Sequence, residues 1–126
     1  MNKNLLATDN APKAIGPYSQ GTAFGELVFT SGQLPLNPET GKLEQDSIEQ
    51  ATHRTIKNVQ AVLIAGGSDL SKVLKATVYL KDLNDFAAMN QVYAEYFGKN
   101  PPARTCFQVV KLPLDAIVEI EAVAHK

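Results

Sequence analysis

The chain has 126 residues, 44% of them hydrophobic and 20% charged, and twelve basic against thirteen acidic side chains leave a formal net charge of −1. That size and balance fit one globular domain over residues 1–126 and exclude a disordered chain, while the missing basic excess argues against nucleic acid as a partner. No window approaches the ~20 apolar residues of a membrane span, Met1–Leu6 has no apolar signal-peptide core, and the lone Cys106 fits a reducing compartment. The expected setting is therefore cytoplasmic, with no membrane partner.

A short strand is expected before Asp9, followed by a hairpin of Ser19–Phe24 and Glu26–Ser31 turning at Gly25. The first helix opens at Asp46-Ser47, where Ser47 and Gln50 have capping-box spacing. Ile48, Ala51, Thr55, Val59 and Val62 recur along it at helical period, and Gly66-Gly67 stops it. Lys72–Leu80 alternates as a strand, which places Leu74, Ala76, Val78 and Leu80 on one face. A second helix starts near Asp82-Leu83-Asn84, carries Phe86, Met89, Tyr93, Tyr96 and Phe97, and ends at Gly98 before Pro101-Pro102. Ala103–Leu112 and Ile117–His125 complete an α+β pattern of about six strands and two helices.

Two amphipathic helices cover only one face of such a sheet. The expected opposite face carries Arg104, Cys106, Glu119 and Glu121 beside Val110, Leu112, Ile117 and Val123. That mixture suits a face packed against other subunits, with wet clefts between them, so an oligomer is expected.

Five stretches have unusual local composition: Ile15–Gln20, Thr30–Pro35, Lys81–Phe86, Pro101–Cys106 and Val118–Ala122. In that order, over about Ala11 to Ala124, they resemble the RidA (reactive intermediate deaminase A, YjgF-type) family. The resemblance implies a chorismate-mutase-like fold in which two helices pack on one face of a mixed sheet. It also implies a homotrimer with sites at the subunit interfaces. The implied reaction is cofactor-free hydrolysis of 2-iminobutanoate and 2-iminopropanoate to 2-keto acids and ammonia. Carried over by position, Arg104 binds the substrate carboxylate and Glu119 attends the catalytic water. Cys106 lies beside the site, and Tyr18, Ser31, Gly32 and Asn90 line the pocket.

Arginine suits that role because its planar fork binds a carboxylate bidentately; the competing expectation is an ordinary ion pair. Glu119 could handle protons if burial raised its pKa. Glu121, two residues on and on the same face, is its rival, and the spacing does not separate them. Cys106 reads as a small buried hydrophobe giving pocket shape and a backbone carbonyl, because the only histidines, His53 and His125, offer it no base. One cysteine and two scattered histidines show no metal-ligand spacing, so no metal is expected. The glycines make no nucleotide fingerprint. The resemblance has Ser31-Gly32 offering backbone N–H groups to an anion; Tyr18 reads as closing over the substrate's alkyl group or, equally, as an interface aromatic with a hydrogen-bonded hydroxyl. The alternative function is a non-catalytic trimer that binds 2-keto acids and regulates a partner. A ribonuclease is disfavoured by the charge.

Overall fold

Gly25 sits at φ 58°, a region its missing side chain opens, and turns β2 (Gly21–Phe24) back on β3 (Leu27–Thr30) so that Phe24 faces Leu27. The computed structural model describes residues 2–126. β1 (Asn4–Leu6) pairs antiparallel with β2. Beyond β3 the sheet continues through β6 (Val118–His125) and β4 (Val73–Leu80) to β5 (Ala103–Gln108), giving the order β1-β2-β3-β6-β4-β5. Only β4 and β5 run parallel. A parallel pair requires a crossover, and α2 (Phe86–Phe97) supplies it.

α1 (Ile48–Ala65) begins where Ser47 accepts a hydrogen bond from the Gln50 N–H. The Gln50 side chain reaches one residue further back than a capping box would, to the Asp46 N–H at 2.6 Å. At the other end Gly67 takes φ 83°, and the Ser68 and Gly67 N–H groups bond to the Leu63 and Ile64 carbonyls, a Schellman closure. α1 buries Ala51, Ile56, Val59 and Leu63, and α2 buries Met89, Tyr93 and Phe97, both against Val28, Ala76, Val78, Leu80, Val118, Ile120, Ala122 and Ala124 of the sheet. Fully burying an aliphatic side chain of this size contributes about 1.5–3 kcal/mol, so this one layer carries most of the stability.

Three expectations about faces are corrected. Leu74 is 48% exposed, because a bulge between Val73 and Lys75 swings it out and hands the core position to Val73. β5 ends at Gln108 rather than Leu112; the Val109 N–H makes a last bond to Leu80, Val110 is fully exposed, and Leu112 is buried while Ile117 packs on the core. The third correction matters most. Arg104 and Cys106 pair in register with Ala76 and Val78, so they share the helix-covered face, while Glu119 and Glu121 pair with Tyr79 and Thr77 on the open one. The open face also carries Phe24, Leu27, Phe29 and Phe107, each more than a third exposed.

Candidate functional site

The expected site residues fall into two groups, each assembled by different elements. The first lies at the edge strand β5 under α2. The Arg104 Nη1 donates to Asn90 Oδ1 at 2.7 Å, and its guanidinium carbon stands 4.6 Å from the Tyr93 ring centre and 5.4 Å from that of Phe86. Phe86, Asn90 and Tyr93 follow one another at helical spacing, so one stripe of α2 grips the cation by two π faces and one amide oxygen. No carboxylate lies within 4 Å of Arg104 among the described residues, where the ion pairs are Lys81–Asp115 and His53–Glu95. The ordinary ion pair that competed for this arginine is therefore not made within the chain. Its side chain opens onto a cleft of about 390 Å³ lined by Asn90, Tyr93, Phe97, Pro101 and Pro102.

Cys106 follows Arg104 on the same face of β5 and is half-buried against the core. Burial pushes its thiol above the usual range, and the nearby Arg104 charge only partly opposes this. The thiol form is favoured, which suits a pocket wall rather than a nucleophile.

The second group lies on the open side, around the loop leaving β3. The Ser31 hydroxyl donates to the Ser19 carbonyl at 2.5 Å and its N–H to the Gln20 carbonyl at 2.9 Å. The Gln33 N–H donates to the Ile120 carbonyl. Ser31 is therefore spent on holding the loop, and of the expected Ser31-Gly32 anion donors only the Gly32 N–H has no partner among the described residues. Gly32 packs flush on Glu119: a Cβ added there would stand 2.9 Å from both Cδ and Oε1 of the carboxylate. Tyr18, half exposed, shares with Gly32 a small pocket of about 80 Å³ whose walls include Ile15, Leu34, Leu36 and Leu114.

Glu119 alternates with the buried Val118 and Ile120, so β6 fixes where it points. Burial, and next the Glu121 carboxylate, push its carboxyl above the ordinary carboxylate range. Glu121 instead accepts a hydrogen bond from the Tyr79 hydroxyl at 2.8 Å. The two glutamates left equivalent by their spacing are thus unlike in environment.

The fold brings Arg104, Asn90 and Cys106 together, and separately Tyr18, Ser31, Gly32 and Glu119. It does not bring the two sets together within one chain, since they occupy opposite faces of one sheet. The aromatic support of Arg104 escaped the sequence reading, which used Phe86 and Tyr93 only as core stripe. The available signal was Asn90, a polar residue between them on that stripe. Among the described residues no helix is long and apolar enough to cross a membrane.

Residues 8–126 match a family model described as Endoribonuclease L-PSP. A RutC family protein of Pyrococcus abyssi is 50% identical over 126 residues, covering 100% of this chain and 99% of that protein. The Arabidopsis thaliana protein named Reactive Intermediate Deaminase A, chloroplastic, is 47% identical over 124 residues, covering 98% of this chain and 66% of that one. Among solved structures, Escherichia coli TdcF with bound serine has a TM-score of 0.93 at 41% identity and covers 98% of each chain.

Proposed function

This chain belongs to the endoribonuclease L-PSP family, which takes in the RutC and RidA proteins, and from that premise we propose that it hydrolyses 2-imino acids such as 2-iminobutanoate and 2-iminopropanoate to 2-keto acids and ammonia. The observation that carries this reading is Arg104, a guanidinium held by aromatic faces and an amide with no acid paired to it. Such a group is preorganised for a small carboxylate, and every 2-imino acid has one beside its C=N bond. The relative solved with serine holds an amino acid, another small carboxylate.

In the proposed mechanism, Arg104 fixes the carboxylate and so places the imine carbon against a water held at Glu119. As the water oxygen bonds to that carbon, Glu119 takes the water's proton and the C=N pair moves to nitrogen. Glu119 returns the proton to nitrogen, giving a carbinolamine; it then takes the hydroxyl proton and delivers it to the same nitrogen as the C–N bond breaks, so that ammonia leaves and the carbonyl forms. A carboxyl pushed above its ordinary range holds and releases a proton nearer neutral pH, as this shuttle requires. Small imines already hydrolyse in water, so most of the gain is positioning.

Arg104 and Glu119 act together in this scheme only if they come from different copies of the chain. We therefore assign the protein to a homotrimer, as its family resemblance implies, with the open sheet face as the contact and one subunit's Arg104 set against the next subunit's Glu119. The exposed Phe24, Leu27, Phe29 and Phe107 supply that face with apolar area. The net charge of −1 favours a small-molecule substrate over the RNA named in the family description.

The test is threonine with a threonine dehydratase, following 2-ketobutyrate while semicarbazide traps free imine. Native protein should outrun the trap. Keto-acid formation at the spontaneous rate, with 2-ketobutyrate still bound, would favour the non-catalytic binder. Two variants sharpen the reading. Cys106→Ser should keep most of its turnover, since the thiol does no chemistry here; near-complete loss would put the sulfur back in the mechanism. Gly32→Ala pushes on the flexible end of Glu119 rather than on backbone. Its kcat/KM should fall about tenfold through misplaced geometry, while calorimetry shows a nearly unchanged Tm.

A further inference from the structure

Glu119 and Glu121 stand two residues apart on the open face of β6, and Tyr79 of β4 is the registered partner of Glu119 while its hydroxyl bonds to Glu121. Within the chain the groups facing Glu119 are few, and the proposed assembly adds the neighbouring subunit's Arg104, which is the same in every variant compared below. Gly32 and the uncharged loop from Ser31 to Leu36 lie on one side, Tyr79 lies across the strand, and Glu121 lies along it. Of the lysines of and beside β4, Lys75 Nζ bonds to Thr105 Oγ1 at 2.9 Å, Lys81 Nζ meets Asp115 at 3.0 Å, and Lys72 precedes the strand's far end, where Val73 pairs with Ala124. No cation lies within 4 Å of either glutamate among the described residues.

Burial first, and the Glu121 charge second, raise the cost of ionising Glu119. We propose that Tyr79 and Glu121 are positioning residues for Glu119: the Tyr79 hydroxyl anchors the Glu121 carboxylate, and that anchored charge, added to burial, makes Glu119 the stronger proton acceptor. This rests on the reading of Glu119 as the proton-handling group. The hydroxyl is a dependable donor, because burial and then the bond to Glu121 push its own ionisation up to about 12.

The inference separates Glu119 from Glu121 by mechanism. Glu121 never touches substrate, yet neutralising it changes the pH at which Glu119 works. Glu121→Gln keeps an acceptor for Tyr79 while removing the charge. Tyr79→Phe removes the donor that anchors the Glu121 carboxylate.

The experiment is a carbon NMR titration of the glutamate side-chain carboxyls in the native assembly, in Glu121→Gln and in Tyr79→Phe, beside pH profiles of kcat/KM. In Glu121→Gln the Glu119 midpoint should move to lower pH, with maximal kcat largely kept. In Tyr79→Phe, with the Glu121 carboxylate no longer anchored, the Glu119 midpoint should fall as well. A Glu119 midpoint unmoved in Glu121→Gln overturns the proposal, and one unmoved in Tyr79→Phe removes Tyr79 from it. The titration needs no turnover, which keeps the two readings distinguishable. If the midpoint moves but the acidic limb of kcat/KM does not, the positioning stands and the proton role of Glu119 fails.

Discussion

Arg104→Ala is expected to lower kcat/KM for 2-imino acids by about 10²–10³, the loss of a charge-assisted bidentate contact worth about 2–4 kcal/mol. The carboxylate is present before and during the reaction, so part of the loss is uniform binding and raises KM. The rest comes from placement of the imine carbon and lowers kcat. The fold should tolerate the change. Arg104 is only half-buried on an edge strand, and what it loses within the chain is one hydrogen bond and its stacking on Tyr93 and Phe86. Arg104→Lys should recover little, because an ammonium restores charge without the fork. Steady-state kinetics with calorimetry on the three proteins checks this; an Arg104→Ala enzyme as fast as the native one would end the assignment.

Glu119→Gln is expected to lower kcat by about 10²–10⁴, the range a general acid–base group contributes, and to change stability in the opposite sense. The folded state raises the Glu119 carboxyl above its ordinary value, through burial first and Glu121 second. Folded protein therefore binds this proton more tightly than unfolded chain does. The resulting stabilisation is fully present below about pH 4.5 and is lost as pH rises through the folded value. Above the folded value the ionised Glu119 weakens the subunit's fold, so glutamine there should hold or raise Tm while turnover collapses. Thermal unfolding across that pH window should show a shallower fall for the variant. A variant both inactive and markedly less stable at neutral pH would instead mark Glu119 as a structural partner.

Local signals carried most of the fold. The Ser47–Gln50 cap, the Gly66-Gly67 stop and the stripes of α1 and α2 are contacts within one or two turns, and the chain encodes them within a few letters. The face of Arg104 is not such a signal. Ala103–Leu112 alternates and puts Arg104 and Cys106 on one face, but alternation does not say which face the helices cover; that comes from register with β4, fixed only in the folded sheet. The Leu74 bulge shows the same limit, since one extra residue reversed the phase that a strict period of two would give. In the site, the candidate residues were readable as chemistry, but their division between two faces was not. Nor was the difference between Glu119 and Glu121, which depends on Tyr79 from a neighbouring strand.

The placing of Arg104 and Glu119 on opposite faces of one sheet has a genetic consequence. Under the proposed assembly every site draws one of these residues from each of two copies. Two alleles, one Arg104→Ala and the other Glu119→Gln, would each encode a dead protein. Expressed together, they would rebuild about one native site in four by random mixing around the ring, because a copy lacking the arginine still lends its glutamate to a neighbour. Such alleles should complement in a cell that carries both, whereas two alleles damaged in the same residue should not.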